Sequence, residues 1–279
     1  MTRRLEDDGA DETYVAADGR LLALPPEEIH LWLAFYDAID DDELLAAYRA
    51  LLTDDERAQE GRFHFDRDRR RYLVTRALVR TVLSRYVQVD AAAWRFAANA
   101  YGRPEIAAPE SHAARLSFNL SHTHSVILLG VARDRAIGVD VENIHERTAP
   151  IEIADRFFAP DEVAALAAVS PDRQQERFFD CWTLKESYIK ARGIGLSLPL
   201  NKFSMRFGDD RAVALHLDGE LGDDAARWQL WQFRPAAEYL AAVCAERIAG
   251  ESARLVFRRV VPLRSEEQCE VDILTPPHR

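Results

Sequence analysis

Apolar positions along this chain change period three times, from helical spacing to alternation, back to helical spacing, and then to alternation again. Pro25-Pro26 and the acidic run Asp40-Asp41-Asp42-Glu43 punctuate a region that reads as helical. Thr53-Asp54-Asp55-Glu56 has the T-x-x-E order of a capping box, in which threonine and glutamate satisfy each other's main-chain amides, so a helix is expected to start there. A second helix is predicted over about 66–86, where Leu73, Ala77, Leu78, Val82 and Tyr86 recur on one face. From Trp94 the pattern shortens to β-like runs at 94–98, 116–120, 126–131 and 137–142, divided by Gly, Pro, Asn and His turns. Helical spacing then returns, briefly at 151–158 and again after Ser170-Pro171-Asp172, which supply an N-cap, a first-turn proline and a first-turn acid. That helix should run to Arg192, with Gly193 as its stop. The last third alternates once more, with strands expected at 203–207, 213–217, 228–233, 239–244 and 254–261, before a frayed end at Pro276-Pro277.

Helices followed by strands, twice, with the change near Gly138, predict an α+β protein of two similar-sized halves with a site in the cleft between them. The expected division is an acidic extension at 1–20, one half at 21–137 and the other at 138–279. A length of 279 residues suits one large domain or two modest ones. With 48% hydrophobic and 30% charged residues the chain has the composition of a globular protein, not of a disordered or collagen-like one. Cys181, Cys244 and Cys269 are far apart and form no CxxC pair, which indicates neither a disulfide framework nor a zinc cluster and suits a reducing cytoplasm. No segment approaches the ~20 apolar residues of a membrane span, so a soluble, cytoplasmic protein is expected.

A net charge of −11 disfavours nucleic acid and anionic membrane surfaces as partners, so any anionic ligand must be held by local clusters. One such cluster is the stretch from Arg57 to Arg85, with nine arginines against three acids, although such a run, as at Arg67, Arg69, Arg70 and Arg71, is by itself more often a solvated helix face than an anion site. A second is marked by rarity. Only Lys185, Lys190 and Lys202 are lysine among 36 basic residues, and two of the three lie in one short segment. An arginine-rich coding sequence accounts for the many arginines but not for retained lysines, and a compact ammonium is not interchangeable with a planar fork.

Three constellations carry candidate chemistry. On a strand over 137–142, Asp140 and Glu142 point to one face roughly 7 Å apart, close enough to share a cation; two solvated acids on an exposed edge are the alternative. On the predicted helix, Trp182, Lys185, Glu186 and Ile189 share a face and Lys190 follows Glu186 by four residues, which is either a functional set or an ordinary surface pair. In Phe118-Asn119-Leu120-Ser121-His122-Thr123-His124 the serine lacks a nucleophile elbow, so a phosphate-binding role for His122, or a plain turn histidine, is the better reading than covalent catalysis.

Together these residues resemble the Sfp-type 4′-phosphopantetheinyl transferases. The matching pieces, in order, are Tyr101-Gly102-Arg103-Pro104, Phe118-Asn119-Leu120-Ser121-His122, Gly138-Val139-Asp140-Val141-Glu142, and Arg156-Phe157-Phe158 with Glu162. Trp182-Thr183-Leu184-Lys185-Glu186-Ser187-Tyr188-Ile189-Lys190 and Gly195-Leu196-Ser197-Leu198-Pro199-Leu200 complete the set, over roughly residues 50–245. The resemblance implies two pseudo-twofold-related α+β halves with coenzyme A and a magnesium ion between them. It also implies transfer of phosphopantetheine to a serine of an acyl, peptidyl or polyketide carrier protein, with release of adenosine 3′,5′-bisphosphate. It places the metal on Asp140, Glu142 and Glu186, the pyrophosphate by Lys185 and Lys190, and the nucleotide phosphates by Arg103 and His122, with Ser121 among the coenzyme A-binding residues. Glu186 and Lys190 are the expected catalytic groups, Glu186 as the base. Where relatives carry lysines for the 3′-phosphate this chain has Glu56 and Gln59, leaving Arg57, Arg62 and Arg71, above all Arg71, as substitutes. The two fused halves suggest a monomer. The alternatives are a metal-dependent hydrolase of coenzyme A or a nucleotide pyrophosphate, and a carrier-binding scaffold without activity.

Overall fold

A computed structural model of the chain describes residues 21–107, 115–146, 148–149, 151–208, 211–248 and 253–275. The acidic extension at 1–20 and the Pro276-Pro277 end lie outside the described residues. In chain order the elements begin with strand β1 (Glu28–Phe35) and helices α1 (Asp42–Leu51), α2 (Asp54–Glu60) and α3 (Asp66–Leu83). Strands β2 (Phe96–Ala98), β3 (Pro104–Ile106), β4 (Leu116–His122), β5 (Val126–Arg133) and β6 (Ile137–Asn143) follow. Then come α4 (Ala154–Phe157), α5 (Pro160–Ala168) and α6 (Pro171–Arg192). The chain finishes with β7 (Phe203–Phe207), β8 (Val213–Leu217), β9 (Trp228–Arg234), β10 (Tyr239–Glu246), β11 (Arg254–Val261), β12 (Ser265–Cys269) and β13 (Asp272–Ile273). The fold is α+β.

Local signals are realised where they have a partner in the chain. The capping box at the start of α2 is formed in both directions between Thr53 and Glu56. Gly193 ends α6 in the left-handed region, at φ 69°, where a side chain would be strained. Ser170 occupies the N-cap position of α6 but makes no side-chain capping bond. One expectation is overturned: the region before Asp40, which reads as helical, holds β1. The strand is central, paired on one side with β11 in parallel and on the other with β5. Trp32 and Ala34 enter one core while Ile29, Leu31 and Leu33 enter another, so both faces are apolar and the alternation that marks a strand is erased.

Two sheets stack in the middle of the molecule. The first runs β12-β11-β1-β5-β4 and the second β13-β9-β10-β6. Their facing sides share a core that joins Leu31, Leu33 and Leu128 to Val139, Val141, Phe233 and Val243. Helices α1 and α3 cover the outer face of the first sheet through Leu44, Tyr48, Leu73, Ala77 and Leu78. Helix α6 covers the second sheet through Leu184, Tyr188 and Ile189. The last long strand, β11, crosses back to lie beside β1 in the first sheet.

Two close approaches build the site. Gly138 on β6 lies so near α6 that an added Cβ would sit 2.0 Å from the Ser187 carbonyl oxygen and 2.2 Å from the Ala191 nitrogen. The neighbouring edges of β4 and β6 are joined by side chains. The amides of Val139, Val141 and Asn143 donate to Asn119 Oδ1 at 2.9 Å, Ser121 Oγ at 3.3 Å and Thr123 Oγ1 at 3.3 Å. Every second residue of one strand thus satisfies an amide of the other. No helix among the described residues is long and apolar enough to cross a membrane.

Candidate active site

The seam between β4 and β6 opens beneath α6 into a cleft of about 350 Å³, walled by Tyr101, Pro104, Leu120 and Ile189 and reached by Glu186 and Lys190. Asp140 stands on the face of β6 opposite Val139 and Val141, as alternation requires, and is only 4% exposed. Its Oδ1 accepts from Ser121 Oγ at 2.9 Å and from Lys190 Nζ at 2.6 Å, and Lys190 also donates to Ser121 Oγ at 3.0 Å. Its Oδ2 is buried with no hydrogen-bond partner. Glu186 lies one turn before Lys190 on α6. Burial and the neighbouring Asp140 carboxylate push its pKa up to about 6, with Lys190 pulling the other way.

The three carboxylates to which the resemblance assigns the metal are not left to one another. Lys190 sits on Asp140, because it follows Glu186 by one helical turn and so reaches the same strand face. Glu142, two residues along β6 from Asp140, is half-buried. Among the described residues no group of three or more His, Cys, Asp or Glu side chains is assembled to hold a metal ion.

His122 is exposed at the end of β4, yet loss of water around its ring, together with Arg71 on α3 and Lys190 on α6, pushes its pKa down to about 4. It is therefore neutral at pH 7, with two cations nearby. Arg71 also pairs with Asp68 at 3.1 Å. Of the other arginines considered for the nucleotide side, Arg57 is held by Asp54 and the Leu52 carbonyl and Arg62 by Gln59. Glu56 neutralises Arg76 and Arg80.

Two assignments are corrected. Lys185 does not face the cleft: it is fully buried, donating to Glu162 Oε2 and to the Phe203 carbonyl, each at 2.6 Å, with its ammonium 4.1 Å from the Phe203 ring centre. Glu162 in turn accepts from the amides of Ala159 and Met205, so the pair ties α5, α6 and β7 together. One residue turns a side chain by about 100° around a helix, and α6 is packed on both sides, so Lys185 and Glu186 enter different environments. Arg103 lines the cleft, but both terminal nitrogens of its guanidinium donate to main-chain carbonyls, not outward to a phosphate. The seam residues Asn119 and Thr123 escape sequence reasoning, although a polar residue at every second position of an otherwise apolar strand was their signal.

The family model described as the 4′-phosphopantetheinyl transferase superfamily matches residues 136–244, and that of the N-terminal part of 4′-phosphopantetheinyl transferases matches 40–133. A 4′-phosphopantetheinyl transferase of Bacillus subtilis is 37% identical over 207 residues, covering 74% of this chain and 85% of the relative. The chain belongs to the 4′-phosphopantetheinyl transferase superfamily. The phosphopantetheinyl transferase Sfp of Bacillus subtilis strain 168 is 35% identical over 201 residues, 71% of this chain and 84% of its own. HetI of Nostoc is 34% identical over 176 residues, 63% and 73% of the two chains. The Sfp-type resemblance carried by the motifs is thus upheld, and the protein is a phosphopantetheinyl transferase.

Proposed function

We propose that this transferase moves the 4′-phosphopantetheine arm of coenzyme A onto a serine hydroxyl of an apo carrier protein, releasing adenosine 3′,5′-bisphosphate, with magnesium as the metal. The observation that carries this reading is the convergence of Asp140, Ser121 and Lys190, within hydrogen-bond distance of one another, at the wall of a cleft that Lys190 and Glu186 line. The serine oxygen forms a bond to the phosphorus bearing the pantetheine arm as the bond to the departing nucleotide phosphate breaks. Such a step demands charge neutralisation and in-line positioning more than a protein nucleophile. Lys190, whose ammonium faces the cleft, neutralises charge on the pyrophosphate. Glu186, with a pKa of about 6, is ionised at neutral pH yet basic enough to take the serine proton. Neutral His122 and the adjacent Arg71 offer hydrogen bonding and charge to the nucleotide phosphates.

The residues suit a hard dication in donor type, all carboxylate oxygen, and the unpartnered Asp140 Oδ2 is an acceptor waiting for one. Asp140 and Glu186 would hold it, with Glu142 nearby. When bound, it supplies further neutralisation of the pyrophosphate.

The test is incubation of the purified protein with coenzyme A, magnesium and a panel of apo carrier proteins, read by mass spectrometry. A gain of one phosphopantetheine on a carrier, lost in Asp140→Asn, is the expected result. Coenzyme A cleavage without any carrier gaining mass would establish hydrolysis instead.

A further inference from the structure

The turn between β2 and β3 is built around Asn99. Its Oδ1 accepts from the amides of Tyr101 at 2.9 Å and Arg103 at 3.0 Å, closing an Asx-type turn, and Gly102 takes φ 86° within it. Its Nδ2 donates to Glu105 Oε1 at 3.3 Å and to the carbonyl of Gly193 at the end of α6, 3.0 Å away. Arg103 follows it across. Its NH1 donates to the carbonyls of Lys190 at 2.7 Å and Ala191 at 3.3 Å, and its NH2 to those of Ile137 at 3.1 Å and Phe118 at 3.3 Å.

These acceptors have a common reason to need a donor. The last carbonyls of a helix are short of amides ahead of them, that of Lys190 having only a share of the Gly193 amide at 3.2 Å, and a cation there is favoured by the helix dipole. Phe118 and Ile137 lie on β4 and β6, whose facing edges are closed by side chains and not by a main-chain ladder. One planar fork therefore joins three elements: the end of the helix that carries Lys190, the strand that carries Ser121 and the strand that carries Asp140. Glycine at 193 leaves room for it, since a Cβ there would come within 3.3 Å of Arg103 NH1.

We propose that Asn99 and Arg103 are positioning residues that set where the Lys190 ammonium meets Asp140 and Ser121, acting through the main chain of α6. This rests on the reading of Lys190 and Asp140 as groups of the transfer reaction. Lysine in place of Arg103 keeps the charge but not the fork that spans helix and strands.

The experiment is steady-state transfer onto an apo carrier protein by wild type, Arg103→Lys, Asn99→Ala, Lys190→Ala and the Arg103→Lys/Lys190→Ala double variant, with coenzyme A and with its 3′-dephospho form, after thermal melts confirm folding. The expected result is a fall in kcat of about ten- to hundredfold for Arg103→Lys and Asn99→Ala, the size of effect a displacement near 1 Å produces. KM for coenzyme A should stay within about twofold, the loss should be equal for both substrates, and Arg103→Lys should cost nothing further once Lys190 is gone. A raised KM with kcat unchanged would make Arg103 a substrate contact and overturn the proposal. So would wild-type kcat in both single variants, or losses that multiply fully in the double variant. If Arg103→Lys does not fold, Asn99→Ala carries the test alone. Unchanged turnover in Lys190→Ala overturns the underlying reading of the site and the brace with it, whereas an inactive Lys190→Ala beside an active Arg103→Lys overturns the brace only.

Discussion

Lys185 and Lys190 drew attention for the same reason, scarcity of lysine, and the fold gives them opposite tasks. Lys190 is a compact charge between Asp140 and Ser121. A guanidinium is too broad for that place, so Lys190→Arg should lose roughly tenfold or more in transfer rate, measured on an apo carrier protein, without a matching fall in melting temperature. Lys185 is the reverse case. Burial drives both members of its pair toward their neutral forms, Glu162 upward and Lys185 downward, and removing one charge strands the other. Lys185→Met should therefore cost about 3–5 kcal/mol of stability in denaturant titrations, and Lys185→Met with Glu162→Gln considerably less. Glu186 adds a pH signature. Its folded-state pKa of about 6 exceeds the ordinary 4.5, so the ionised form weighs against the metal-free fold increasingly as pH rises from 4.5 through 6. In chelator, Glu186→Gln should melt with wild type below pH 4.5 and above it at pH 7. A difference that grew toward acid pH would contradict this.

At the scale of elements, the contact that places Asp140 beneath Lys190 is the passage of β6 under α6 at Gly138. A methyl group there meets main-chain atoms of the helix at 2.0 and 2.2 Å, which no rotamer relieves. Gly138→Ala should lift α6 from β6, lowering the melting temperature and abolishing transfer together; a well-folded, active variant would mean the helix adjusts freely. Most elements around this contact were legible from pattern. Strands β4 to β6 and β7 to β11, the capped start of α2 and the glycine stop of α6 all arise from local signals, namely alternation, hydrogen-bonding side chains and backbone freedom. β1 was not legible, because a strand buried on both faces has no polar positions to reveal its period. The run at 94–98 anticipated β2, whereas β3 and β13, with three and two residues, hold too few positions to show any period.

For the whole molecule, the ligands should act as part of the fold. Magnesium with coenzyme A should raise the melting temperature of wild type by mass action, more than either alone, and should leave Asp140→Asn nearly unmoved. Carboxylate repulsion alone would suggest that Asp140→Asn is the more stable protein without metal; the ion pair with Lys190 reverses that expectation, since the lysine loses its partner and Ser121 part of its bonding. The metal-free variant should melt at or below wild type, as scanning calorimetry in chelator would show. The sequence by itself determined the family and the α+β class, and it singled out Glu186 and Lys190, which line the cleft, because the chemistry demands particular side chains at short spacings on single elements. Only the tertiary structure decided that β11 returns to pair with β1, that Lys185 turns inward while Lys190 turns to the cleft, and that Arg103 serves main-chain carbonyls. Each of these joins residues far apart in the chain. Periodicity tells which side chains share a face, but what covers that face is settled only when the elements pack.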